Sequence, residues 1–373
     1  MRKEKTEKDM DELERARQII DETDREMAAL FEKRMEAART IGFYKKERGL
    51  PIYAPEREKA LIEKNAALIA DPTVRAHYMQ FLQHTMNASK RYQRELISGA
   101  RVAYSGIVGA FANIAAERIF PEGQLVSFPG FPEAYRAVES GDCEQAVLPI
   151  ENSYVGEVGQ VMDLMFQGTL YINAVYTLRI RQNLLAVPGA RLSDITKVVS
   201  HPQALSQCRD YISGHGFEAV EASNTAVAAQ SVADAADIHT AAIASAETAD
   251  LYGLTVLDHD IQTSFQNATR FAVFSRVRNQ ETNGRKDCRF MLMFTVRNEA
   301  GSLAKAIDVI GSCGFNMSAL RSRPLGSLAW QYYFYLEAAG DIFSAEGQAM
   351  LKKLEKNCEM LKVIGAFPEP GEL

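Results

Sequence analysis

Apolar residues recur at helical spacing near the start of the chain, at Leu13, Ala16, Ile20, Met27, Leu30, Phe31, Ala38 and Ile41, yet Arg34 and Lys45 fall on the same stripe. A 3.6-residue period over this length requires a long amphipathic helix. A cation on its apolar stripe requires either a counter-charge or a route to water. Two readings are open on this helix alone. Both heads snorkel from the helix edge, or both lean across Ala38 and Ile41 toward one small dianion.

The following segments extend the polar set. After Gly49-Leu50-Pro51, the stretch Ala54-Pro55-Glu56-Arg57-Glu58 opens a second helix. Val74 to Leu96 reads as a third, with Ser89 and Gln93 four residues apart on one face. Arg17, Arg34, Lys45, Arg57, Glu58, Ser89 and Gln93 are thus spread over a three-helix unit, residues 1–98.

At 373 residues the chain is longer than one typical core, so two or three domains are expected. A net charge of −6 provides no basic field for nucleic acid. The five cysteines are scattered without a CxxC pair, which predicts reduced thiols and argues against a zinc site. Met1 to Glu14 is charge-dense and lacks the apolar core of a secretory signal. No run approaches the roughly 20 apolar residues that span a bilayer. A cytoplasmic protein without a membrane partner is expected.

Composition shifts at Ser98-Gly99, and a polar stretch from Asn279 to Asp287 reads as a linker. Between them, residues 100–277 alternate short apolar runs with helical patterns. Strands are predicted at 102–104, 124–128, 146–148, 170–177, 198–199, 241–243 and 271–274, and helices at 111–119, 132–139, 203–212 and 225–235. This is α/β patterning, expected to be mostly parallel. Loops beyond strand ends in such sheets hold ligands. Residues 288–367 read strand, helix, strand, strand, helix, strand, the order of a small α+β ferredoxin-like module.

Three resemblances follow from these segments. The spacing Arg17-x6-Asp24-x9-Arg34-x10-Lys45, then Arg57-Glu58 and Ser89-x3-Gln93, resembles the all-helical chorismate mutases. That resemblance implies that the cations hold the two carboxylates of chorismate, that Lys45 and Gln93 contact the ether oxygen, and that Glu58 takes the ring hydroxyl. Ala54 stands where the family often has Asp. Arg17 lies about 25 Å along an ideal helix from Arg34 and about 100° around it, so both reach one ligand only if a second chain donates Arg17. An intertwined dimer is expected.

Taken singly, the loops of residues 101–277 are weak signals, Ser223 and Asn224 being most simply helix caps and His201 a turn residue. In order, Pro149-Ile150-Glu151-Asn152, Ser200-His201-Pro202-Gln203, Ser223-x-Thr225-Ala226 and Thr269-Arg270-Phe271 resemble prephenate dehydratase. The resemblance implies Thr269 as donor to the leaving hydroxyl and Glu151 as a second candidate acid. Asn152, Ser153, His201, Gln203, Ser223, Thr225 and Phe271 would bind substrate, and Arg270 would hold a carboxylate. Ala110 and Ala112 replace two hydroxyl residues of that family's first loop. Finally, Gly301-Ser302-Leu303 and Arg321-Ser322-Arg323-Pro324 resemble the effector motifs of an ACT domain, with Arg321 where Glu is usual.

Together these imply a bifunctional, cofactor-free enzyme that takes chorismate to prephenate and then to phenylpyruvate. Phenylalanine would be its effector, and the assembly a homodimer or homotetramer. Arogenate dehydration and a non-catalytic metabolite sensor are the alternatives.

Overall fold

The computed structural model describes residues 2–48, 50, 52, 55–279, 282–285, 287–325 and 331–373. Ala54, Trp330 and residues 280, 281 and 286 of the expected linker lie outside the described residues. The chain divides into two compact units, Met1–Ala100 and Arg101–Leu373.

The first unit is helical: α1 (Arg2–Glu47), α2 (Pro55–Ala66) and α3 (Pro72–Ser98). Asp71 caps α3, its carboxylate accepting the Thr73 and Val74 amides, and Pro72 occupies the first turn where no donor is needed. Gly42 is buried where α1 meets α3; a methyl group there would stand 3.3 Å from Cγ of Gln93. With 46 residues, α1 spans about 69 Å at 1.5 Å per residue. The sequence predicts a buried stripe along it, but within one chain Leu13, Ile20, Met27, Leu30 and Phe31 are all exposed. Among the described residues of α1, Ala38 and Gly42 are buried.

The second unit begins with β1 (Arg101–Ser105), α4 (Phe111–Ile119), β2 (Gln124–Phe128), α5 (Phe131–Ser140), β3 (Gln145–Asn152), β4 (Gly156–Glu157), α6 (Gly159–Gln167) and β5 (Tyr171–Arg179). The chain then crosses into a second lobe: β6 (Asn183–Ala186), β7 (Lys197–Ser200), α7 (Pro202–Gln207), α8 (Arg209–His215), β8 (Glu218–Glu221), α9 (Thr225–Ala235), β9 (Thr240–Ala244), α10 (Ala246–Tyr252) and β10 (Thr255–Asp258). It returns through β11 (Ala268–Ser275). The C-terminal module follows as β12 (Cys288–Thr295), α11 (Ser302–Ser312), β13 (Asn316–Pro324), β14 (Tyr332–Ala339), α12 (Ala345–Leu354), β15 (Met360–Pro368) and β16 (Gly371–Glu372).

The expectation of mostly parallel strands needs correction. In the first lobe β1 pairs parallel with β2 and β3, but the returning β11 inserts antiparallel between β3 and β5. In the second lobe β7 is parallel to β8 and β9, while β6 runs antiparallel to β9 and β10. A returning strand can insert parallel or antiparallel, and no local pattern announces which.

The C-terminal strands take the order β13-β14-β12-β15, the split βαβ arrangement the sequence predicts. They are not a separate layer. β15 meets β5 in parallel through Gly365 and Ile172, so one 11-stranded sheet runs from β13 to β2. One apolar cluster correspondingly holds Leu148, Ile150, Met165 and Phe274 together with Tyr333, Tyr335, Ile364 and Phe367.

Candidate active sites

Helical geometry brings six of the predicted residues to one cavity of about 300 Å³: Arg34, Lys45, Arg57, Glu58, Ser89 and Gln93. Arg34 donates to the Ser89 hydroxyl and to the Thr85 carbonyl at 3.3 Å. Lys45 Nζ donates to the Ile52 carbonyl at 2.6 Å. Burial lowers the pKa of Arg34. For Lys45, burial and then the neighbouring Arg57 push the pKa down, and Glu58 opposes them. Both cations are therefore held in a state that an incoming anion would relieve.

Gln93 is 7% exposed, and its amide oxygen has no hydrogen-bond partner among the described residues. Lys90, which the sequence reading missed, also lines the cavity and meets Glu58 at 2.9 Å. Its signal was the row Met86, Ser89, Lys90 and Gln93, spaced as one helix face. Arg17 is exposed and is not among the cavity residues.

In the second unit both lobes contribute to a cavity of about 170 Å³. β3 ends in Asn152, and Thr269, the second residue of β11, stands directly opposite it in register. Asn152 Nδ2 donates to Thr269 Oγ1 at 2.9 Å and to Asn267 Oδ1 at 2.9 Å. Its Oδ1 accepts the amides of Tyr154 and Val155, at 3.0 and 3.1 Å, and faces Gln203 Nε2 at 3.5 Å. His201 caps α7, with Nδ1 accepting the Gln203 amide at 3.2 Å. Asn224, and not Ser223, caps α9 through Val227, and Thr225 sits beside it on the cavity wall.

Four amide side chains complete the lining without having been singled out as site residues: Gln182, Gln207, Asn224 and Asn267. Gln182 and Asn267 are 2% and 3% exposed, and Gln182 Oε1 and Asn267 Nδ2 have no partner among the described residues. Asn267 was findable, since it stands two residues before Thr269 and shares its strand face. Gln182 and Gln207 lie beside the lobe crossings, which only the fold defines. Among the described residues, the polar groups of the lining are hydroxyls, amides and one imidazole, with no carboxylate, Lys or Arg.

Five predicted residues are not brought to this cavity. Glu151 and Arg270 pair with each other at 3.1 Å on the opposite side of the sheet, because successive residues of a strand face opposite ways. Phe271 is buried in the core with Val102 and Tyr104. Ser153 ties its loop to the Gln266 carbonyl and the Ala268 amide instead. Ser223 is exposed. The first loop, bearing Ala110 and Ala112, puts Ala110 and Phe111 on the wall and docks on α10 through Thr248, whose hydroxyl donates to the Gly109 carbonyl at 3.2 Å.

The C-terminal motifs sit apart within one chain. Gly301, at φ +84°, precedes α11, which Ser302 begins. Leu303 lines a cavity of about 420 Å³ that none of Arg321, Ser322, Arg323 and Pro324 touches. Those four lie on β13, where Arg321 bonds Glu151, and Arg323 reaches Asp163 at 3.2 Å and the Tyr333 hydroxyl at 3.0 Å.

Residues 16–94 match the chorismate mutase type II family, and residues 102–279 match the prephenate dehydratase family. A bifunctional chorismate mutase/prephenate dehydratase of Neisseria gonorrhoeae is 30% identical over 94% of this chain and 96% of its own. A chloroplastic arogenate dehydratase/prephenate dehydratase of Arabidopsis thaliana is 33% identical over 73% of this chain and 72% of its own. The crystal structure of an Arthrobacter aurescens prephenate dehydratase in complex with L-Phe superposes with a TM-score of 0.66. It is 26% identical, and the match covers 72% of this chain and 90% of that one.

Proposed function

The chain belongs to the bifunctional chorismate mutase/prephenate dehydratase family, and from that premise we propose how its cavities divide the work. The enzyme rearranges chorismate to prephenate and converts prephenate to phenylpyruvate in phenylalanine biosynthesis. The helical cavity takes the first step and the interlobe cavity the second.

The first reaction moves no proton and forms no covalent intermediate. Its rate rests on holding a compact conformer of a dianion and stabilising charge that develops on the breaking ether oxygen. Arg34 and Arg57 suit the carboxylates. Lys45 and Gln93 suit the ether oxygen, Lys45 as a cation and Gln93 through an amide N–H on the cavity wall. Arg17 stands too far along α1 to join them, and the exposed stripe of α1 needs a cover. Both requirements are met by a homodimer in which the partner's α1 supplies Arg17.

In the second reaction the bond to the ring carboxylate breaks, and its electron pair enters the ring. The ring hydroxyl departs with a proton as water, leaving CO2 and phenylpyruvate. The observation that carries this half is the Asn152 to Thr269 hydrogen bond. With an oxygen lone pair engaged by Asn152, the Thr269 hydroxyl proton is turned toward the cavity, where it orients or protonates the leaving hydroxyl. Neutral amides of Gln203, Asn267 and Gln182 bind the substrate without over-stabilising the carboxylate that must leave. With no carboxylate among the described lining residues to meet an ammonium, the site favours the keto acid prephenate over arogenate.

The C-terminal module serves as an ACT-type regulatory domain for phenylalanine. Its strand order and its two motifs support this reading. Because those motifs do not share a cavity within one chain, the effector site is completed between two chains. No helix among the described residues is long and apolar enough to cross a membrane.

The test is turnover by the purified chain, following loss of chorismate and appearance of phenylpyruvate, with prephenate and arogenate compared by kcat/KM. Dehydratase rates under phenylalanine, tyrosine and tryptophan then test the effector. Faster turnover of arogenate than of prephenate would overturn the substrate assignment.

A further inference from the structure

Glu337 on β14 is a carboxylate 1% exposed, in a module that contributes nothing to the wall of the interlobe cavity. Arg270 grips it with both terminal nitrogens, Nη1 at 2.9 Å and Nη2 at 3.0 Å. Arg289 and the Tyr335 hydroxyl also donate to it, at 3.4 and 3.3 Å. The chain of charges continues outward: Arg270 to Glu151 at 3.1 Å, then Glu151 to Arg321, with Arg321 also 3.7 Å from Glu157.

Such a buried pair is a poor stabiliser, since removing both charges from water costs about what their attraction returns. What it can set is geometry. Arg270 and Glu151 are paired residues of β11 and β3, and each is the chain neighbour of a cavity residue, Thr269 or Asn152. Immediately beyond Arg270 the ladder slips: Arg270 faces Glu151 but Phe271 faces Pro149, leaving Ile150 as an extra residue. A bulge loosens the regular ladder and re-aims the side chains beside it. Where the β3–β11 pairing is irregular, the opposite face of the sheet carries a bidentate ionic clamp.

We propose that Glu337 is a positioning residue of the dehydratase site, acting through Arg270 and Glu151 to fix the separation of Asn152 and Thr269. Arg321, the charge reversal in the effector-type motif, is the second handle on the same clamp, so a shift of β13 or β14 is felt at the Asn152–Thr269 pair. This rests on the reading that the pair lies at the dehydratase site. Displacing a reacting group by about 1 Å costs on the order of a hundredfold in rate, so a small slackening of the clamp is enough to register.

The experiment uses the full chain with four substitutions, alone or in pairs. Glu337→Gln is expected to lower the dehydratase kcat tenfold or more, with the KM for prephenate changed less than threefold and the mutase rate unaltered. In a Thr269→Ala background the same change is expected to cost almost nothing further, because the group being positioned is gone. A structural role would instead add its loss in both backgrounds. The double substitution Glu337→Leu with Arg270→Met keeps the volume and removes both charges; it is expected to fold and stay slow. Wild-type kcat in Glu337→Gln or in that double variant overturns the proposal, as does a full additive loss on Thr269→Ala. If Thr269→Ala itself retains dehydratase activity, the site reading fails first, and the two failures are distinct.

Discussion

Nδ2 of Asn152 and Oγ1 of Thr269 lie 2.9 Å apart across the β3–β11 pair, the last residue of one strand against the second residue of the other. Thr269→Ala removes the hydroxyl and is expected to lower the dehydratase kcat by about 10² to 10⁴, the usual range for a positioned proton donor. Thr269→Ser keeps the hydroxyl and should retain a larger share. Mutase turnover, measured in the same preparations as loss of chorismate, is expected to be unchanged.

Lys45 supplies a pH signature. Its pKa is lowered from 10.5, first by burial and then by Arg57. The charged form is therefore lost, as pH rises, earlier than for an ordinary lysine. Mutase kcat/KM, which reports the free enzyme, should fall on the alkaline side at a pH below 10.5. Lys45→Arg, charged throughout, should flatten that limb at a lower plateau. A limb that survives in Lys45→Arg would assign it to another group.

The dimeric mutase site can be read by complementation. Arg17→Ala and Arg34→Ala chains should each be inactive alone. Mixed and re-associated, half the dimers are hybrids and one of their two sites regains both arginines, restoring about a quarter of wild-type mutase activity. No recovery would mean that Arg17 serves its own chain or none.

Gly42 separates activity from stability in the helical unit. In Gly42→Ala, the new methyl sits 3.3 Å from Gln93 Cγ. Better helix propensity contributes about 1 kcal/mol and offsets a crowding cost of similar size, so Tm should move little. Gln93 is the side chain that must yield, and mutase kcat should fall severalfold. An unchanged kcat would show that Gln93 is not held in place by α1.

Gly365 joins β15 to β5, and a Cβ there would collide with the Ile172 carbonyl. Gly365→Ala must part the two strands. The dehydratase should lose thermal stability and activity together, whereas the mutase, in the other unit, should persist. Activity measured across a thermal ramp for both reactions checks this.

The polar set of the helical unit was legible because α-helical spacing alone determines which residues share a face. That rule pairs Arg34 with Lys45 on α1 and Ser89 with Gln93 on α3, and the packing of α1 on α3 joins the two pairs. In the second unit the motif segments were legible, but not the direction of each side chain. Glu151 and Asn152 are neighbours in sequence, yet only Asn152 reaches the cavity, as with Arg270 and Thr269. Which member of each pair faces the substrate depends on strand register and on the bulge after Arg270, and both are long-range facts.

By itself, then, the sequence determined the helical and α/β character of the segments, the order of the C-terminal strands and the chemistry available at each site, because these follow from local periodicity and side-chain type. Tertiary structure alone decided that β11 returns antiparallel between β3 and β5, that Gln182 and Asn267 become buried, each with one amide atom left without a partner among the described residues, and that Glu337 clamps Arg270 from a module some 70 residues further on. The physical reason is that burial and ionic pairing depend on which distant strands become neighbours, and a chain carries no local record of its partners across a sheet.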